Sequence, residues 1–163
     1  MHYFAYGSNM DEVDLKKWCE TNKRSFPGWK LLGTACLENY QLSFNYYASV
    51  RRGGAANLME LSGHRVYGLL FEISDDKDLE TIRKKEGCPD QYEEILVTVE
   101  CEGRRIEDVT TFKVAKRNEQ PRHQRPTAYY MDLILTNARK HGFPAEYIQS
   151  VDRIETQRSV RGG

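Results

Sequence analysis

Hydrophobic and polar positions change period repeatedly along this chain, and each change marks an element. Tyr3, Phe4 and Tyr6 favour an extended strand, which Gly7-Ser8-Asn9 breaks into a tight turn. Asp11, Glu12, Leu15 and Trp18 then read as a helix whose acidic first turn suits its positive end. After the turn-rich Ser25-Phe-Pro-Gly-Trp29 stretch, Gly33–Leu37 and Tyr40–Tyr46 read as strands, the second alternating aromatic or aliphatic with mostly polar residues. Arg51-Arg-Gly-Gly54 is a loop with freedom for positive φ. Ala55–Met59 and Val66–Ile73 predict two further strands around a Ser62-Gly63 turn, and Gly68 inside the second implies a bulge or a close backbone approach.

Ser74 is placed to cap a helix with Asp75, Asp76 and Asp78 in its first turn, ending at Gly87 as a left-handed C-terminal glycine. Tyr92–Cys101 and Ile106–Val114 predict a hairpin turning at Glu102-Gly103. Residues 115–126 form a polar loop, and Thr127 caps a helix running to His141 and stopping at Gly142. Tyr130, Leu133, Ile134, Asn137 and His141 share one face of that helix. Pro144 starts a last short helix through Val151. Helices at the start, middle and end around several strands, without strict β-α-β alternation, predict an α+β fold. The expected form is a compact, mixed, β-barrel-like curved sheet with flanking helices. One domain over 1–151 is expected, with a polar, glycine-ended flexible tail at 152–163.

Charge narrows the partners. With 24 basic and 24 acidic residues the chain offers no field for nucleic acid or an anionic membrane. The basic run Lys113, Lys116, Arg117, Arg122, His123 and Arg125 lacks interleaved aromatics and reads as a solvated loop. No apolar run approaches the roughly 18 residues of a membrane span. Cys19, Cys36, Cys88 and Cys101 are scattered with no metal-ligand spacing, so no metal site is expected. With no secretory leader pattern at the start, free thiols in a reducing cytoplasm are expected.

Glu86 is the unusual residue. Leu79, Ile82 and Glu86, spaced by three and then four, share one stripe of their helix, which aims a carboxylate at the core from the negative helix end. Burial and the helix end would both raise its pKa. The alternative is a helix that rolls or ends early, leaving Glu86 at the surface among Arg83, Lys84 and Lys85. The opening strand and turn are similarly open. They form either an ordinary first strand or a set of backbone N–H groups converging on a small volume that can receive a carboxylate or an oxyanion. No G-x-S-x-G, H-E-x-x-H, G-x-x-x-x-G-K-[ST] or G-x-G-x-x-G is present. Cys88 has no histidine within sequence reach to activate it.

Several stretches together resemble one family. Tyr3-Phe-Ala-Tyr-Gly-Ser-Asn-Met10 is similar to the Y-F-A-Y-G-S-N-L opening of the γ-glutamylcyclotransferases. Arg51-Arg-Gly-Gly-Ala-Ala56 followed by Val66-Tyr-Gly-Leu-Leu-Phe71 resembles their G-G-x-A-T strand and V-W-G-V-V-W. Lys85-Glu-Gly87 with Tyr92 is similar to the E-G-x-x-x-x-Y segment carrying the family's catalytic glutamate. Pro126-Thr-Ala-Tyr-Tyr130 and Gly142-Phe-Pro-Ala-Glu-Tyr147 resemble P-S-x-x-Y and G-L-P-x-x-Y. The motifs come in the family's order. Asn57 departs from the usual threonine, Met10 from leucine, and Arg51-Arg52 precede the double glycine near the expected pocket mouth.

The resemblance implies a cofactor-independent enzyme closing 5-oxoproline from a γ-glutamyl compound and releasing an amine or amino acid. Glu86 would be general base and acid. Tyr3, Phe4, Ala5, Tyr6, Gly7, Ser8 and Asn9 would bind the γ-glutamyl group, and Tyr130 would contact the substrate. The substrate is left open among γ-glutamyl amino acids, γ-glutamyl amines and γ-glutamyl-protected intermediates, and a homodimer is compatible with the chain. A non-catalytic protein of the same fold, binding an acidic metabolite or a partner, is the alternative.

Overall fold

The computed structural model describes residues 1–158. Its strands are β1 His2–Ala5, β2 Trp29–Ser43, β3 Tyr47–Ala48, β4 Gly53–Gly54, β5 Asn57–Ile73, β6 Tyr92–Cys101 and β7 Arg104–Val114. Its helices are α1 Glu12–Thr21, α2 Asp76–Glu86, α3 Ala128–Lys140 and α4 Ala145–Asp152. Five strands close a barrel in the order β1-β5-β2-β6-β7, and β3-β4 form a separate two-stranded ribbon. The barrel is mixed: β1 closes it by pairing parallel to β7, with His2 opposite Val109, and antiparallel to β5. The α+β barrel expected from the sequence pattern is therefore the fold adopted.

The strands are longer than their hydrophobic runs. Gly33–Leu37 and Tyr40 belong to one continuous β2, and Ala55–Met59 and Val66–Ile73 fall largely within one continuous β5. The interruptions are bulges: the β2–β5 register shifts between Leu31 and Gly33 and between Glu38 and Tyr40. At the second shift Asn39 takes a φ of 61° and its side chain accepts from the Gly63 N–H at 3.0 Å, so residues 61–64 loop out without ending the strand. Bulges sharpen local bend and twist, which a small barrel requires of its long strands.

Glycine supplies close approach at two places. A Cβ on Gly68 would lie 2.3 Å from the Ala5 carbonyl oxygen and 2.6 Å from the Phe4 ring, so only glycine lets β1 dock on β5. In the double glycine the left-handed residue is Arg52, with φ 55°, not a glycine. A Cβ on Gly54 would sit 1.8 Å from the Gln124 carbonyl oxygen, and Gly54 N–H donates to Arg125 O at 3.0 Å. The glycines let the 124–127 segment lie flat against β4.

Caps set the helix starts. Asp11 accepts from the Asp14 N–H at 2.9 Å and Thr127 accepts from the Tyr130 N–H at 3.1 Å. For α2 the cap is Asp75, which accepts from Lys77 N–H at 2.9 Å, not Ser74, because the sheet still holds Ile73 against Trp29. Leu79 and Ile82 of α2 and Ile134 and Ala138 of α3 are buried in the core. The tail expected from Asp152 is tied down over its described part. Gln157 N–H donates to Pro126 O at 2.9 Å, Gln157 Nε2 to Arg52 O at 2.7 Å, and Arg125 pairs with Glu155 at 2.5 Å. The rest of that tail, 159–163, lies outside the described residues. No described helix is long and apolar enough to cross a membrane.

Candidate active site at the barrel mouth

β1 leads through Tyr6 into a 3₁₀ turn, Ser8–Met10, whose first bonded amide is Met10 N–H to Gly7 O at 3.1 Å. The N–H groups of Gly7, Ser8 and Asn9 precede that bond and have no acceptor within the turn. From the other side α2 ends at Gly87, with φ 63°, and its last residue is Glu86. Strand and helix meet here: Asn9 Nδ2 donates to Glu86 Oε1 at 2.6 Å and to Tyr3 Oη at 3.0 Å.

Around this contact lies a cavity of about 640 Å³ lined by Tyr3, Tyr6, Gly7, Ser8, Asn9, Glu86, Tyr92 and Tyr130, among others. Three of its tyrosines are held by main chain. Tyr6 Oη donates to Phe112 O at 2.5 Å, Tyr92 Oη donates to Ala56 O at 2.7 Å, and Tyr130 Oη accepts from Ala56 N–H at 3.1 Å. Tyr130 thus keeps its hydroxyl proton for another acceptor. Its oxygen would lie 3.4 Å from a Cβ on Gly7, so glycine there leaves the backbone open beside it.

Of the residues expected at the site, Glu86, Tyr3, Tyr6, Gly7, Ser8, Asn9 and Tyr130 share this one cavity. Phe4 and Ala5 do not line it. The Phe4 ring and the Ala5 carbonyl both lie against Gly68 within the β1–β5 contact, and both residues are fully buried there. They hold the strand that delivers Tyr6 and Gly7. Asn9 bonds Glu86 directly.

A second set of charges meets here, of which only Arg51 was expected near the pocket mouth. Lys85 Nζ donates to Asn9 Oδ1 at 2.6 Å and to Asp14 Oδ2 at 3.0 Å. Arg51 forks onto both oxygens of Asp14 at 3.1 and 2.9 Å, with its guanidinium 5.3 Å from the centre of the Tyr130 ring. One signal for Lys85 was available: Leu79, Ile82 and Lys85 recur by threes, which puts Lys85 beside Glu86 on the buried stripe.

Burial raises the Glu86 pKa from 4.5 to about 6, against the opposing pull of Lys85, Arg51 and the Asn9 hydrogen bond. Burial likewise lowers Lys85, although Asp14 and Glu86 resist it. Burial alone would raise Asp14, but its hydrogen bonds to Arg51 and the nearby Lys85 outweigh this and hold it below its ordinary value. Burial pushes Tyr3, Tyr6, Tyr92 and Tyr130 upward, so the surrounding hydroxyls stay neutral donors. The site combines a desolvated carboxylate titrating near neutrality, a run of open backbone donors and neutral phenols. Such a set can move a proton and stabilise a developing oxyanion.

Fold and site together define a small mixed barrel with a half-buried carboxylate, titrating near neutrality, at its mouth. Residues 65–151 match the model of the AIG2-like family. A γ-glutamylcyclotransferase of Bos taurus is 27% identical over 161 residues, spanning 94% of this chain and 78% of that protein. The Homo sapiens γ-glutamylcyclotransferase is 25% identical over 161 residues, with the same shares covered. A solved γ-glutamyl cyclotransferase structure superposes with a TM-score of 0.80 at 23% identity, over 100% of this chain and 92% of that one. YkqA from Bacillus subtilis superposes at 0.75 with 25% identity, over 96% of this chain and 56% of that one. The chain belongs to the AIG2-like family.

Proposed function

We propose that the protein is a γ-glutamyl cyclotransferase with Glu86 as general base and acid. Glu86 takes a proton from the substrate's α-ammonium. The freed amine attacks the γ-carbonyl carbon, forming the ring C–N bond, while the carbonyl electrons move to oxygen. The N–H groups of Gly7 and Ser8 receive that oxyanion, an effect worth about 3 to 4 kcal/mol per donor. Collapse breaks the bond to the leaving nitrogen, which takes the proton held by Glu86; the ring nitrogen gives up its second proton through the same carboxylate to the released amine, and 5-oxoproline and an ammonium separate. Nucleophile and electrophile belong to one molecule, so the protein's task is to hold the ring-closing pose. The reading rests on one observation above all: Glu86 and the Gly7-Ser8 backbone line the same cavity, with the carboxylate desolvated.

Because base catalysis needs the ionised carboxylate, kcat/KM is expected to fall on the acid side of a limb near pH 6, where Glu86 titrates. A pH–rate profile checks this, and a limb left near 4.5 would count against Glu86. The outer lining supports a finer assignment for the leaving half. Trp18, Tyr46, Val50 and Tyr129 offer apolar and aromatic surface there, and the cavity's cations Lys17, Arg51, Lys84 and Lys85 outnumber its carboxylates Asp14 and Glu86. A γ-glutamyl amino acid with a large apolar side chain and a free carboxylate fits that lining. A γ-glutamyl diamine, cationic at its far end, is expected to react at least about tenfold less efficiently, a difference of 1.4 kcal/mol. The test is 5-oxoproline release from such a panel. No release from any member, with tight γ-glutamyl binding by calorimetry, would favour a binding protein instead. The four free thiols fit a reducing cytoplasm.

A further inference from the structure

We propose that Lys85 is a positioning residue of this site: its buried ammonium fixes the orientation of the Asn9 side-chain amide and, through it, the Glu86 carboxylate. The two ends of an asparagine amide have nearly the same shape, and only their hydrogen-bond partners tell them apart. An ammonium has donors and no acceptor. With Lys85 Nζ 2.6 Å from Asn9 Oδ1, the amide oxygen must face the lysine, and both Nδ2 hydrogens are left for Glu86 Oε1 and Tyr3 Oη. The opposite orientation would set NH₂ against ammonium and oxygen against carboxylate.

An ammonium at this depth needs a counter-charge. The Lys85 side chain is 6% exposed and that of Asp14 10%, and they meet at 3.0 Å. Asp14 is in turn held by the Arg51 fork. The result is a continuous chain, Arg51–Asp14–Lys85–Asn9–Glu86, running from the cavity mouth to the carboxylate. The groups facing its two ends are few. Glu86 meets Lys85 of its own helix, Asn9, Tyr3 and Tyr6 from the opening strand and turn, and Arg51, Tyr92 and Tyr130 across the cavity. Lys85 meets Asp14 and Cys19 of α1, Arg51 and Glu86. Lysine and arginine favour the ionised carboxylate and Asp14 opposes it, so charge changes along the chain should reach Glu86 with opposite signs.

The activity arm of the test rests on the cyclotransferase reading, and a second arm does not. Lys85→Met removes the charge and the lock on the amide while keeping length. It should move Glu86 titration upward by about one unit, as loss of a neighbouring cation does. Asp14→Asn should move it downward. Both shifts are read in the free protein by ¹³C-carboxyl NMR, with the Glu86 signal assigned by Glu86→Gln. They are read again as the acid limb of kcat/KM for 5-oxoproline release, where Lys85→Met should also lose about twofold at pH 7 and about ninefold at pH 5 by carrying less ionised base. A merely structural lysine would lower folded protein without moving either titration. Unchanged Glu86 titration in Lys85→Met overturns the proposal. If that variant does not fold, Asp14→Asn decides: a downward shift supports the chain and an unmoved titration overturns it. Wild type without 5-oxoproline release but with both NMR shifts would retain the Lys85 role and remove the cyclotransferase reading.

Discussion

Replacing Glu86 by glutamine is expected to lower 5-oxoproline release by about a hundredfold to ten-thousandfold, the range lost with a general acid-base group. Glutamine keeps an oxygen for the Asn9 donor, so the hydrogen bond at 2.6 Å has a partner in the variant and the fold should persist. Stability should move the other way. The Glu86 pKa is raised by folding from 4.5 to about 6, so the folded state holds the proton more tightly than the unfolded chain. That contribution to stability is full below about 4.5 and lost as pH rises through about 6. Above this window the ionised carboxylate costs folding about 2 kcal/mol. A neutral glutamine avoids it, and the melting temperature at pH 8 should rise by about 6 °C. Thermal unfolding and turnover on one preparation check both effects. Full activity in Glu86→Gln would remove the glutamate from the mechanism. A variant less stable than wild type at pH 8 would mean that the carboxylate is better compensated than its burial implies.

The other large effect lies away from the chemistry, at Gly68→Ala. The added methyl would meet the Ala5 carbonyl at 2.3 Å and the Phe4 ring at 2.6 Å, and a backbone carbonyl in a closed barrel has little room to retreat. A loss of about 3 kcal/mol is expected, at the upper part of the range for overpacking, with a fall in melting temperature of about 10 °C. Activity should drop in the protein that remains folded, because β1 carries Tyr6 and Gly7 to the cavity. Gly63→Ala is the internal comparison. Its φ is 80° with nothing within 4 Å, so backbone strain of about 1 kcal/mol is the only penalty. Equal losses at the two positions, measured by urea unfolding, would show that the β1–β5 contact yields more easily than its distances indicate.

The proposed cyclisation would make modest demands on such a site. It would need one proton acceptor near neutrality and a place for one oxyanion, for which the desolvated Glu86 and the unfinished backbone turn are the candidates. The tyrosines add neutral walls: their hydroxyls bond main chain around Phe112 and Ala56, which fixes the rings before any ligand arrives.

Much of this was readable from residues alone. Period and punctuation located the helices, the β6–β7 hairpin and the glycine stop after Glu86, because caps, turns and apolar stripes are local chemistry. The spacing of Leu79, Ile82 and Glu86 left two orientations for the carboxylate, and the ordered motifs named the family. What the linear chain did not carry was everything created by contact between distant segments. Barrel closure makes β2 and β5 continuous through bulges that look like strand ends when read alone. The close approach of 124–127 gives the double glycine its reason. The docking of Phe4 and Ala5 on Gly68 removes them from the cavity wall, although they sit in the same motif as Tyr3 and Tyr6. The Arg51–Asp14–Lys85–Asn9–Glu86 chain joins residues as far apart in sequence as 77 positions. Whether a lysine beside a glutamate is a solvated surface charge or a buried lock depends on what packs over it. Only the fold brings Asp14 and Asn9 onto the end of α2, and with them the desolvation that lifts the Glu86 carboxylate to a pKa of about 6.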